Sequence, residues 1–179
     1  GFEAIAHVEM NAEACQTIKT RSAYHYLKSK NNLDFYYKYI KGEITQETFY
    51  KQIPKEVLDS VLNIEINDET INGVFETIKK SKTKIDLIIG GPPCQAYSLL
   101  RRHQEDIEKD PRNKLYIQYG RFLKEFQPRG FVFENVPGLL TAQKGEHFKN
   151  LKAYFRRLGY EVYHDTLTAS NYGVVQDRK

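Results

Sequence analysis

Cys94 stands in the run Gly90-Gly91-Pro92-Pro93-Cys94-Gln95-Ala96-Tyr97-Ser98. Two glycines and two prolines directly after an apolar run make a loop of fixed direction. A thiol held there faces a cleft, whereas most free cysteines fill cores. With an ordinary pKa near 8.5, only about a few per cent of such a thiol is ionised at neutral pH, so attack needs activation or a strongly driven acceptor. Glu134 closes the run Gly130-Phe131-Val132-Phe133 and opens Asn135-Val136-Pro137. A carboxylate half-buried beside such a run would have a raised pKa and would donate or share a proton; the alternative is a carboxylate that accepts loop backbone amides. Glu9 follows Ala4–Val8, where a strand-end acid either takes two ribose hydroxyls or is simply solvated. Cys15, among Ala12, Ala14 and Ile18, reads as packing.

The elements that must position these residues alternate. Ala4–Val8 reads as a buried strand, followed by a helix over Ala12–Lys19 with Asn11 as N-cap. Residues 21–62 turn polar and aromatic and read as a helical insertion whose tyrosines and phenylalanines pack it onto the body; a base-stacking platform is the lesser alternative. Ile64–Ile66 is read as a short strand and Glu69–Lys80 as a helix. Ile85–Ile89 is a strand, Asn113–Phe126 a helix, Gly130–Phe133 a strand, Phe148–Leu158 a helix stopped by Gly159, and Tyr160–Leu167 a last strand. Alternation of this kind predicts an α/β domain with a mostly parallel sheet covered by helices on both faces. In such a sheet ligands bind beyond the carboxyl ends of the strands, which is where Glu9, Cys94 and Glu134 fall.

Composition narrows the class. The 179 residues are 40% hydrophobic and 28% charged, which suits one folded domain. The net charge of +4 permits a polyanionic partner without requiring one. No stretch approaches the roughly 18 apolar residues of a membrane span, and two distant cysteines make neither a zinc site nor a disulfide framework. Both ends of the chain read as cuts through a larger protein.

Together the three segments resemble the cytosine-5 DNA methyltransferase family: GGPPCQAYS its nucleophile loop, FVFENVPGLL its Glu-Asn-Val motif, YGVVQDRK the start of its Gln-x-Arg-x-Arg motif, and DPRNKLY the segment opening the helix between the first two. The resemblance implies a Rossmann-like fold dependent on S-adenosylmethionine and a double-stranded DNA partner with a flipped cytosine, without metal or membrane, in a monomeric bacterial cytoplasmic enzyme that acts at the nucleoid within a restriction-modification system. It implies that Cys94 attacks carbon 6 of the base, that Glu134 contacts nitrogen 3 and the exocyclic amine, that Arg178 contacts the base oxygen, and that Gln176 supports that strand, with Asn135 counted among the catalytic group. Glu9 would bind the ribose hydroxyls, Met10 and Leu115 would pack on adenine, Pro93 would border the methionine end, and either Glu65 or Asp68 would be the acid near the third strand.

The family's Phe-x-Gly-x-Gly loop and first strand would precede Gly1, and its recognition domain would follow Lys179. The 179-residue piece alone is therefore expected to be inactive and to bind cofactor weakly or not at all. A tRNA cytosine-5 methyltransferase shares the same motifs and is the alternative substrate class. A non-catalytic partner domain is the alternative role, which the presence of Cys94, Glu134 and Arg178 together opposes. A thiol hydrolase would need a histidine beside the cysteine; His103, the nearest in sequence, lies in a charged stretch and reads as surface.

Overall fold

The computed structural model describes residues 2–92 and 115–176, the side chain of Gln143 excepted. The chain divides into two units, Gly1–Thr83 and Lys84–Lys179.

In the first unit, strand β1 (His7–Glu9) leads directly into helix α1 (Ala12–Ser29). Asn11 caps that helix as expected, its side-chain oxygen accepting the Ala14 N–H at 2.8 Å. The helix runs ten residues past its expected end at Lys19. No glycine or proline interrupts it, and Cys15, Ala23 and Leu27 recur at multiples of four to keep one buried stripe. Asn31, at φ 53°, takes the left-handed conformation just beyond its end. Three short helices follow: α2 (Asp34–Ile40), α3 (Gln46–Tyr50) and α4 (Lys55–Asp59). Thr45 caps α3 by accepting the Thr48 N–H at 3.2 Å. Buried Ala23, Leu27, Phe49 and Ile53 form the core of this insertion, with Tyr36, Tyr39 and Tyr50 packed around them. Tyr39 stacks on Phe49 at 4.7 Å between ring centres. Most of the aromatic side chains are therefore spent on packing, each large one contributing about 1.5–3 kcal/mol by burial.

Strand β2 (Val61–Asn63) then pairs in parallel with β1, His7 opposite Val61 and Glu9 opposite Asn63. The strand expected at Ile64–Ile66 is thus three residues late. Helix α5 (Ile71–Lys79) buries Ile71, Val74, Phe75 and Ile78 on one face.

The second unit opens with β3 (Leu87–Gly90), which pairs in parallel with β4 (Gly130–Phe133), Ile88 opposite Phe131 and Gly90 opposite Phe133. Helix α6 (Leu115–Phe126) and helix α8 (Glu146–Arg157) both pack on the face carrying Ile88, Phe131 and Phe133, and bury Tyr119, Leu123, Leu151 and Phe155. Between them, helix α7 (Gly138–Thr141) adds Leu139 to the same core. Ile89 and Val132, paired on the opposite face, are 67% and 48% exposed. Among the described residues, then, the strands form two two-stranded parallel sheets, and β3–β4 is covered on one face, where a single sheet covered on both was expected.

Tyr160–Leu167 is the other departure. Tyr160 and Val162 pack on the core and Tyr160 donates its hydroxyl to the Pro128 carbonyl at 2.9 Å. The segment joins no ladder, however, and Tyr163 stands 90% exposed. Alternation on its own makes no strand; a hydrogen-bonding neighbour does.

Candidate active site

Glu134 is placed by the β3–β4 pairing. Its backbone N–H donates to the Gly90 carbonyl at 2.9 Å, carrying the ladder one residue beyond Phe133. That brings its carboxylate over the loop after β3. A Cβ on Gly91 would lie 2.7 Å from Glu134 Oε2, closer than real side chains approach, so the glycine is what gives the carboxylate room. The half-burial expected of Glu134 is not found: the residue is exposed, because β4 ends at Phe133 and the next residue already leaves the apolar layer. Among the described residues its carboxylate accepts no hydrogen bond. Asn135 joins the two loops. Its Nδ2 donates to the Pro92 carbonyl at 3.2 Å, and its Oδ1 accepts the Val136 N–H at 2.9 Å.

Tyr119 braces the same two strands from beneath. Its hydroxyl lies 3.0 Å from both the Ile88 and the Val132 carbonyls, so a single proton is shared between the two strands. Its ring fills the space beside Gly90, where a Cβ would come within 2.7 Å of it. Burial, with Tyr160 nearby, pushes the phenol far above its usual pKa, which keeps it a donor at any working pH. The sequence pattern marks only a helix over Asn113–Phe126 and gives Tyr119 no part in the site. The signal that it matters to the site was the Gly90-Gly91 pair, whose missing side chains make room for Tyr119 and for Glu134.

The other residues expected at the site divide as follows. Cys94, Pro93 and Arg178 lie outside the described residues, and so does the expected convergence of Cys94, Glu134 and Arg178. Gln176 is exposed, its N–H donating to the Val174 carbonyl at 2.8 Å, and among the described residues it makes no hydrogen bond to Glu134 or Asn135. Leu115 is half-buried at the start of the described part of α6.

Glu9, Met10 and Glu65 belong to the first unit. Glu9 is the last residue of β1, and its Oε1 accepts the Asn11 N–H at 2.8 Å, which fixes the carboxylate and leaves Oε2 for an outside donor. Asn63, opposite Glu9 on β2, donates to the Glu9 and Met10 carbonyls at 3.2 and 2.9 Å. Met10 is thereby held with its side chain 65% exposed. Glu65 and Asp68 are both exposed, two and five residues past the end of β2. An oriented acid beside an uncovered thioether, with further carboxylates past the end of the neighbouring strand, is a donor set that fits a ribose and an adenine ring. Cys15 donates its thiol to the Glu9 carbonyl at 3.3 Å and is buried, in agreement with a packing role.

Residues 30–179 match the family described as C-5 cytosine-specific DNA methylase. The chain belongs to that family. Among curated relatives it is 37% identical to the Type II methyltransferase M.Bpa9945I of Bacillus paralicheniformis, an alignment covering 99% of this chain and 47% of the relative. It is 41% identical to the Type II methyltransferase M.FnuDI of Fusobacterium nucleatum over 58% of this chain and 30% of that protein. With M1.HphI of Haemophilus parahaemolyticus it shares 41% identity over 53% of the chain and 26% of the relative. The chain thus spans about half the length of the first of these and less of the others. The loops after β3 and β4 lie within the matched region, whereas Glu9 and Met10 precede it. Among the described residues, no helix is long and apolar enough to cross a membrane and no cluster of ligating side chains could hold a metal ion.

Proposed function

We propose that this chain is the catalytic part of a methyltransferase that moves a methyl group from S-adenosylmethionine to carbon 5 of cytosine in double-stranded DNA. One observation carries the reading. At the carboxyl ends of two adjacent parallel strands, the exposed Glu134 carboxylate lies over Gly91, and Asn135 grips the Pro92 carbonyl two residues before Cys94.

In this reading Asn135 aims the loop so that the Cys94 thiolate adds to carbon 6 of a cytosine swung out of the duplex. Addition drives charge toward ring nitrogen 3, and Glu134 donates a proton to that nitrogen while accepting from the adjacent amine. S-adenosylmethionine, when bound, supplies an electrophilic methyl group. Glu9 and Met10 hold its adenosine end, and either Glu65 or Asp68 is the acid near the third strand. Loss of the carbon-5 proton and departure of the Cys94 thiolate restore the aromatic ring. Arg178 contacts the base oxygen, and Gln176 supports that strand. The relatives' designation as Type II methyltransferases supports a place in a restriction-modification system.

The test uses the full-length protein. Cys94→Ser is expected to abolish methyl transfer to duplex DNA while leaving DNA and cofactor affinity within about threefold of wild type, since a serine hydroxyl is far less ionised than a thiol at neutral pH. The wild type should form an adduct with a duplex carrying 5-fluorocytosine that survives a denaturing gel, because fluorine blocks the elimination step. Substantial methylation by the serine variant sinks the covalent reading.

A further inference from the structure

Charge is not spread evenly along this chain. Residues 19–41 hold six cations, Lys19, Arg21, Lys28, Lys30, Lys38 and Lys41, against the single acid Asp34, a net charge of +5. The remaining 156 residues hold 21 cations and 22 acids, a net charge of −1. The whole positive excess of the protein therefore lies in one short stretch.

The fold gathers four of these cations at one corner of the first unit. Lys28 and Lys30 lie at the C-terminal end of α1, and Lys38 and Lys41 at the C-terminal end of α2. The Tyr24 and Tyr36 rings meet at 4.9 Å, so α2 turns back along the last turns of α1. With seven residues, α2 is only about 10 Å long, so Lys38 and Lys41 stay near the end of α1 that carries Lys28 and Lys30. All four are exposed. Lys28, Lys30 and Lys38 each rest their ammonium group over a ring, of Tyr24, Tyr26 and Phe35, at 5.9, 5.8 and 5.8 Å from its centre. The rings restrict the long side chains without neutralising them. Elsewhere in the unit Lys51 pairs with Glu47 and Lys55 with Asp59. Among the described residues, Lys28, Lys30, Lys38 and Lys41 have no ion pair.

A stable fold does not require this arrangement. Each helix C-terminus presents about half a negative charge, which one lysine per helix already answers, and the other two add repulsion. The complement of such a surface is a polyanion. A membrane-binding corner would need a broad apolar face turned outward, whereas α1 turns Cys15, Ala23 and Leu27 into the core and α2 leaves only Tyr37 and Ile40 exposed among its apolar residues. We infer that the α1–α2 corner grips the phosphate backbone of double-stranded DNA independently of sequence, adding affinity outside the catalytic loops. The choice of DNA as partner rests on the function proposed above.

The test is the combined variant Lys28→Gln, Lys30→Gln, Lys38→Gln and Lys41→Gln in the full-length protein, beside the same four positions changed to Arg. Binding to a methylatable duplex and to an unrelated duplex is measured across a salt series, with methyl transfer at saturating DNA. Each lost phosphate contact lowers the slope of log affinity against log salt by about 1. The glutamine variant should therefore lose a slope of about 2–4 and bind both duplexes at least about tenfold more weakly near 0.15 M salt, with kcat at saturating DNA unchanged. The arginine variant should match the wild type, as should the melting temperature of both. Unchanged affinity and slope in the glutamine variant overturn the proposal. So does a loss of binding confined to vesicles containing phosphatidylserine. A wild type that methylates a tRNA and no duplex overturns the function proposed above; that failure appears in the wild type alone, whereas failure of the patch appears only between variants.

Discussion

Glu9 and Glu134 occupy matching places in the two units, each where a parallel strand gives way to its loop. In each case an asparagine follows closely. At the first, Asn11 gives its backbone N–H to the Glu9 carboxylate and its side chain to the cap of α1. The hydrogen bond that orients the Glu9 carboxylate itself comes from within three consecutive residues. At the second, Asn135 sends its side chain to Pro92, 43 residues away in sequence, and the Glu134 carboxylate lies over Gly91 with no hydrogen bond of its own among the described residues. One acid is held by its own segment. The other is placed by two segments and left free. Binding a fixed diol asks for the former; meeting charge that appears only during a reaction asks for the latter.

The difference is broken most directly at Gly91. Gly91→Ala puts a methyl group 2.7 Å from Glu134 Oε2, too close to stay, and an exposed carboxylate yields more readily than a backbone. The fold should survive and the carboxylate should swing aside. A displacement of about 1 Å costs on the order of 100-fold in rate, so methyl transfer in the full-length protein is expected to fall by about that factor, with the melting temperature little changed. Rate retained within about threefold would mean that Glu134 does not act from its present position.

At Glu9 the expected effect is smaller and falls on binding. Glu9→Gln keeps an oxygen to accept the Asn11 N–H and loses the charge. A hydrogen bond to a charged group is worth about 1.5–3 kcal/mol against 0.5–1.5 for a neutral one. S-adenosylmethionine should therefore bind about tenfold more weakly by titration calorimetry, with kcat at saturating cofactor nearly unchanged. Unaltered affinity would make Glu9 an acid of its own loop only.

The two sites were not equally legible in the sequence. Gly130–Phe133 and the strand before Gly90-Gly91 stood out because each is an apolar run closed by an abrupt change of residue type, and the loop chemistry follows from that change. What the glycines make room for was not legible, since Tyr119 and Glu134 reach them through the fold. The exposure of Glu134 was misjudged for a related reason: the run Gly130–Phe133 says where a strand lies and nothing about how far its cover extends. The error at β2 has another origin. Ile64–Ile66 alternates and Val61–Asn63 does not, yet the backbone that β1 offers pairs with Val61–Asn63. Over Tyr160–Leu167 no strand among the described residues offers such a backbone, and the expected strand does not form.

The smallest test separates orientation from stability at Glu9. Asn11 serves α1 through its side chain and Glu9 through its backbone N–H. Asn11→Ala removes the first and keeps the second. Loss of an N-cap costs about 1 kcal/mol, so the urea midpoint should fall by the corresponding amount. Cofactor affinity should stay within about twofold of wild type, because alanine presents the same N–H to the carboxylate. Should affinity instead fall as far as in Glu9→Gln, the cap and the acid would be one structure, and the self-contained character assigned to the Glu9 segment would be wrong.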